Sequence, residues 1–368
     1  MHRQSKDLRK FITHGLSLES PLEYQTDYLT PTEQFFVCNS GSTPQIDKQE
    51  YSLKIWGDGV FEELILTYEQ LLTLPQRTVP AIIECAGNHR LFFEEIDGTP
   101  IETPVGTEKL IWSTGAIGMA EWTGVPLAEV LKLAGIRAEA IQLCARGGET
   151  DSCEGEIRIP MPIDKAMNKD TLLAISMNGK TLPADHGFPV RILVPGWIGA
   201  YSVKWLQDIE VSTQPIWVKR NTSSYVMKGD PWPAAQYAPS QGKPLTQQNI
   251  KSALALPYPA NLSAGANTLH GYAHSPGSAI QQVLWRDTRY KTWQDARLGK
   301  QNERYGWVRF EFEWDALAGE NHILTKAIDR QGKSQPDTVE FNNAGYLYNA
   351  VYPHPIIVSE TKNHPSKL

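Results

Sequence analysis

Along residues 51–212, short apolar runs alternate with amphipathic segments, and most are closed by glycine, proline or asparagine. The run "VPAIIECAG", residues 79–87, is continuously apolar up to its last turn and predicts a buried strand. In "PLAEVLKLAG" the residues Leu127, Val130, Leu131 and Ala134 fall on one face, which predicts a helix. Pro126 suits its first position and Gly135 its stop. "AIQLCA", "TLLAISMNG", "FPVRILVPG" and "SVKWLQDIEV" predict further strands or strand-turn units. This half reads as mixed α+β.

The pattern changes after Tyr225. "MKGDPWPAAQYAPSQGKPLTQQ" is rich in Pro, Gly and Gln and reads as a linker. Beyond it, "WVRFEFEWDAL" alternates Val308, Phe310, Phe312 and Trp314 with Arg309, Glu311 and Glu313, the period-two signature of a half-buried strand. With "AIQQVLW" before it and "HILTKAID" after, the carboxy-terminal part reads as an all-β sandwich. The expected division is an amino-terminal extension at 1–34, a first domain at 35–228, and a linker with a second domain at 229–368. No internal repeat or low-complexity tract is visible.

Length supports that division, because 368 residues with 41% hydrophobic content exceed one ordinary core. No stretch approaches the roughly 18 apolar residues of a membrane-spanning helix. A net charge of -6 argues against a general nucleic-acid binder. The amino terminus, "MHRQSKDLRKFITHG", lacks an apolar leader, so the chain as given is expected in the cytoplasm, or in the periplasm if a leader was removed. The four cysteines, Cys38, Cys85, Cys144 and Cys153, include no CxxC pair, and only Cys144 and Cys153 are near enough in sequence to suggest a local disulfide.

Cys85 ends the apolar run of "IIECAGNHR", with His89 and Arg90 close behind. It suits a buried structural thiol, the nucleophile of a Cys-His hydrolase, or a ligand to a soft metal. A lone protein thiolate holds a transition metal only if a cofactor brings the other ligands, and organic metal carriers are usually phosphorylated. "PADHGFPVRILVPGWIGAYSVKWL" offers His186, Arg191 and Lys204 for such an anion, although a strand pair with scattered surface charges fits the same pattern. The pair Glu94-Glu95 reads as a solvated acidic turn.

Together, "ECAGNHR", "WSTGAIGMAEWTGVPLAEVLKLAG", "LLAISMNGKTLPADHGFPVRILVPGWIGAYSVKWL", "WQDARL" and "YNAVYPHPI" closely resemble the sulfite oxidase family of molybdenum enzymes, from about Phe35 to Val358. The resemblance implies an α+β molybdopterin-binding domain followed by an immunoglobulin-like dimerisation domain, and hence a homodimer. It implies that Cys85 binds molybdenum, that Asn88 and Arg90 share its turn beside an oxyanion pocket, and that His186, Arg191 and Lys204 hold the pterin. Tyr225, in "VKRNTSSYVMKG", matches the family's active-site tyrosine, and Trp112 begins an element near the pocket. The implied reaction transfers an oxygen atom between molybdenum and a small sulfur compound. No haem or flavin segment fits in this length, so electrons are expected to pass to a separate acceptor.

Two stretches depart from the family pattern. "FFVCNS" places Cys38 where an arginine that binds the sulfite oxyanion is expected, and Ser40 where a histidine is expected. "SAIQQVLW" places Gln281 and Gln282 where a second substrate arginine is expected. A charged hydrogen bond to an oxyanion contributes roughly 1.5 to 3 kcal/mol, so losing two would weaken sulfite binding by about two orders of magnitude or more. Cys38, Trp112 and Gln282 are therefore the substrate-pocket candidates, and a neutral or larger sulfur substrate, or a protein that has lost sulfite chemistry, becomes the alternative.

Overall fold

A computed structural model describes residues 6–101, 110–149, 151–152 and 155–360 of the chain. The first domain is built on two five-stranded sheets. The second sheet takes β1 (Ser52–Trp56), β2 (Leu64–Thr67), β5 (Gln142–Gly147), β6 (Arg158–Pro162) and β9 (Leu206–Ser212). All its pairings are antiparallel except β1 with β9. The first sheet takes β3 (Arg77–Glu84), β4 (Ile117–Pro126), β7 (Leu172–Met177), β8 (Arg191–Leu193) and a short return at Lys180–Thr181. The strands predicted from the apolar runs are among these.

Pro80 lies inside β3, which its position at the sheet edge permits, since an edge strand leaves N–H positions outside the ladder. The predicted helix spans Leu127–Leu133, with Pro126 one position earlier than expected, as its N-cap. Leu127, Val130 and Leu131 insert into the core shared with Leu53 and Ile55 of β1, Ile209 and Val211 of β9, and Leu173 and Ile175 of β7.

The second domain is a two-sheet sandwich of immunoglobulin-like type. One sheet orders β10 (Lys251–Leu254), β12 (Gly265–His274), β15 (Trp307–Ala316) and β14 (Arg297–Asn302). The other carries β11 (Ala260–Ser263), β17 (His354–Ser359), β16 (Gly319–Asp329) and β13 (Ile280–Asp287), with Gln294–Asp295 at its edge. Val308, Phe310, Phe312 and Trp314 all enter the core between the sheets, as the alternation requires.

The segment read as a linker has structure of its own. Val226–Met227 pairs with Lys243–Pro244, and Met227 and Leu245 enter the first domain's core, so the Pro/Gly-rich stretch is a loop folded back on that domain. The amino-terminal segment likewise packs on the body. Glu19 accepts from the backbone N–H groups of Ser113 and Gly115 at 3.2 and 2.9 Å, and Leu22 packs with Ile82, Met119 and Trp307.

Period-two alternation divides β3 between two environments. Val79, Ala81 and Ile83 join the cluster of Phe35, Trp112 and Trp122, whereas Ile82 joins the cluster that includes Tyr272 and Trp307 of the sandwich. Glu84, 2% exposed, meets Lys251 Nζ at 2.6 Å and His274 Nε2 at 3.5 Å. Asn88 Nδ2 donates to the same carboxylate at 3.0 Å. Burial acts to raise the Glu84 carboxyl, but Lys251, His274 and Asn88 together hold it below the usual carboxylate range. Its contribution to stability is therefore present above the ordinary carboxylate pKa and is lost as the pH falls through the depressed value. Lys251→Met leaves the carboxylate uncompensated and is expected to lose about 3–5 kcal/mol by urea unfolding, while Lys251→Met with Glu84→Gln loses less because no unpaired charge stays buried.

Candidate functional site

Cys85 is the first residue after β3. Its N–H donates to the Ala116 carbonyl at 2.9 Å and its carbonyl accepts from Asn88 N–H at 3.0 Å, which closes a turn. A Cβ at Gly87 would lie 2.7 Å from the Arg90 guanidinium, so the glycine is what lets Arg90 fold back under the turn. Cys38 is the largest influence on the Cys85 thiol and lowers it. Burial opposes, Arg90 assists, and the Cys85 thiol is lowered to about 7. Cys38 is pushed the other way, by Cys85 first and by burial second.

Both cysteines line one cleft with His186, Arg191, Lys204 and Tyr225. His186 ends a 3-10 turn, and Gly187 after it has φ of 105°, where an added Cβ would press on Arg191 and Lys204 at 3.0 and 3.1 Å. The turn thereby gathers three basic side chains. Arg191 is 4% exposed and donates to the His186 and Ser202 carbonyls at 3.0 and 2.8 Å, with its guanidinium carbon 5.0 Å from the Trp122 ring. Lys204 donates to Asn39 Oδ1 and, at 3.0 Å, to the Asp185 carbonyl.

The electrostatics of this corner call for an anion. Burial lowers Arg191 to about 9 and Lys204 to about 8, and holds His186 well below its ordinary value, where Lys6, Lys204 and Arg191 depress it further. His186 Nε2 and Arg191 Nε are buried without a hydrogen-bond partner. Buried polar nitrogens left unpaired beside buried cations are destabilising unless a ligand meets them. Among the described residues, no group of three or more His, Cys, Asp or Glu side chains is placed to hold a metal ion unaided.

The other sequence candidates fall elsewhere. Asn88 sits behind the turn, its side chain joining Glu84 to the Ala116 N–H, and faces the inter-domain seam. Trp112 is fully buried, edge-on to His14 at 4.9 Å and Phe36 at 6.5 Å. Arg90 donates to the Leu110 carbonyl at 2.8 Å and lies 5.0 Å over the Tyr346 ring, outside the cleft lining. Gln282 does not line the cleft either. Its side-chain amide donates to Asp295 of the edge strand at 2.5 Å, next to a register shift between Ile280 and Gln282. Cys153 lies outside the described residues, and Cys144 is a buried free thiol.

Three lining or supporting residues escaped the sequence reading. Arg220 and Glu149 line the cleft, and Glu149 accepts from Ser40 N–H at 3.0 Å. Tyr346, from the carboxy-terminal domain, stacks on Tyr225 at 5.7 Å and 15°. Arg220 had a local signal, two residues beyond Val218 in the tyrosine segment, whereas Glu149 and Tyr346 arrive only through the fold.

In the cofactor-free chain, Cys85 should alkylate with half-maximal rate near pH 7. Cys38→Ala removes the neighbouring thiol and should move that midpoint upward toward 9, measured as the pH dependence of iodoacetamide labelling followed by peptide mass analysis.

Residues 40–218 match the oxidoreductase molybdopterin binding domain, and residues 243–359 match the Mo-co oxidoreductase dimerisation domain. The chain is 33% identical over 353 residues to mitochondrial sulfite oxidase of Mus musculus, an alignment covering 90% of this chain and 62% of that protein. Sulfite oxidase of Arabidopsis thaliana is 31% identical over 343 residues, covering 86% of this chain and 84% of the plant protein. Among solved structures, the sulfane dehydrogenase SoxCD from Paracoccus pantotrophus superposes with a TM-score of 0.79 at 25% identity, covering 95% of this chain and 86% of that one. This chain thus spans about three fifths of the mouse protein's length. A molybdopterin-binding domain joined to a dimerisation sandwich, at this identity over most of its length, places the chain in the sulfite oxidase family.

Proposed function

We propose that this chain is a molybdenum-dependent oxidoreductase that transfers an oxygen atom to or from a small sulfur compound and passes the electrons to a separate acceptor. The observation that carries the reading is the joining, in one cleft, of the Cys85 thiol with the unpartnered His186 Nε2 and Arg191 Nε. That donor set fits a molybdenum–molybdopterin cofactor: a thiolate for the metal, and buried cations for an anionic phosphate. The bound cofactor supplies the two-electron oxygen-atom exchange and the remaining metal ligands.

The chain's own residues do the rest. Cys85 gives its thiolate, already favoured near neutral pH. His186, Arg191 and Lys204 receive the phosphate, and the anion in turn favours their charged forms. Tyr225 lines the cleft, and its hydroxyl is suited to donate a hydrogen bond to the substrate's oxygen. Its ring stacks on Tyr346, and the Arg90 guanidinium lies over the Tyr346 ring in turn. The two chains of a homodimer associate through the sandwich, a reading the dimerisation-domain match supports.

Substrate charge is decided around Cys38. A neutral thiol stands where the resemblance expects an arginine, and Glu149 adds a carboxyl beside Lys204 and Arg220. Both features disfavour a small dianion, so the preferred substrate is a sulfur compound carrying less negative charge than sulfite. The likeness to a sulfane dehydrogenase supports a sulfur substrate other than sulfite.

Protein from cofactor-competent cells should contain about one molybdenum per chain by elemental analysis, as a single thiolate site requires. Cys85→Ser should abolish turnover with the fold retained, and activity surviving that change rules out the ligand role. Cys38→Arg should lower the KM for sulfite by about 10- to 100-fold in an artificial-acceptor assay, the equivalent of one charged hydrogen bond. An unchanged KM would show that the missing arginine does not govern substrate choice.

A further inference from the structure

Two of the four cysteines, Cys38 and Cys85, line the same cleft and pack against the same apolar cluster, each is the largest influence on the other's thiol, and neither is in a disulfide. Each is held in place by its own backbone. The segment before Cys38 is tied down by paired bonds between Leu18 and Val37 at 2.8 and 2.9 Å. Cys85 is fixed by Ala116 and Asn88. The sulfurs are therefore kept as neighbours by two separately anchored segments, and both residues are partly open to solvent. Two thiols that line one cleft and dominate each other's ionisation are the pair, among the described residues, placed to meet in a disulfide bond of about 2 Å. Cys144 is buried on β5 against Arg158 and does not line this cleft.

We propose that Cys38 and Cys85 form a reversible disulfide in the cofactor-free chain, so that the cleft accepts its metal only when reduced. The consequence for loading rests on the reading of Cys85 as the molybdenum ligand; the disulfide itself does not. The oxidant is a low-molecular-weight disulfide. One cysteine sulfur attacks it, forms a mixed disulfide and releases one small thiol. The second cysteine then attacks the protein-bound sulfur, closes the Cys38–Cys85 bond and releases the other small thiol. The pair gives up two electrons, which reduce the external disulfide, and its two protons end on the two released thiols. A sulfur held in that bond has no thiolate to offer a metal. A dithiol reductant reverses both steps.

The test uses the full chain purified from cells that do not make molybdopterin, treated with 2-hydroxyethyl disulfide. The expected result is loss of two titratable thiols, a mass lower by two hydrogen atoms, and a peptide joining Cys38 to Cys85 that disappears on reduction. In Cys38→Ser, Cys85 should instead stop at the mixed disulfide, with the mass of one added mercaptoethanol unit. All thiols surviving in the wild type, or the mixed disulfide persisting there, would overturn the inference without touching the functional reading. Reduced and oxidised protein are then exposed to molybdopterin and molybdate, and bound molybdenum is counted. The reduced form should load and the oxidised form should load at least tenfold less. Equal loading of a chain shown to be cross-linked would overturn the gating and, with it, the assignment of Cys85 as the ligand.

Discussion

A carboxylate almost sealed from water at the end of β3 organises this protein. Glu84 is tolerable only because Lys251 reaches it from the other domain, with His274 and Asn88 filling the remaining sides. The residue after it is Cys85. The strand end, the Cys85 turn and the seam between domains are thus one electrostatic unit, tied by a pairing between residues 167 positions apart.

The cleft applies the opposite policy. At the seam, opposite charges are matched before any ligand arrives; in the cleft, His186 and Arg191 keep ring and guanidinium nitrogens unmatched. Tertiary backbone contacts hold the cations in register regardless of occupancy, since Arg191 spends its terminal nitrogens on the carbonyls of His186 and Ser202 and leaves Nε for something else.

Much of this was legible in the chain. The apolar runs and the alternation of residues 307–316 depend on local periodicity, and the strands fall where that periodicity places them. His186, Arg191 and Lys204 lie on one turn, the short strand after it and the bend that follows, so their convergence followed from short-range sequence. What was not legible depends on distant chain. Glu149 reaches the cleft through its bond to Ser40, and Tyr346 comes from the other domain. Gln282 was chosen by its strand position, which does not fix what its side chain meets: here it donates to Asp295 across the sheet, away from the cleft. The Pro- and Gly-rich stretch after Tyr225 misled because composition reports local stiffness, whereas Met227 and Leu245 are drawn in by the first core.

The carboxy-terminal segment around Tyr346 backs the cleft, packing on the first domain's core and stacking on Tyr225 of the lining. Leu347 N–H donates to the Ala86 carbonyl at 2.8 Å, one residue past Cys85, and the Tyr346 hydroxyl donates to the Ser224 carbonyl at 2.9 Å, one residue before Tyr225. A single dipeptide therefore clips together two loops that no strand connects. Hinge motion between the domains would reach the cleft as a change in the spacing of Cys85 and Tyr225, so quaternary packing of the sandwich has a direct mechanical route to the place where chemistry is proposed.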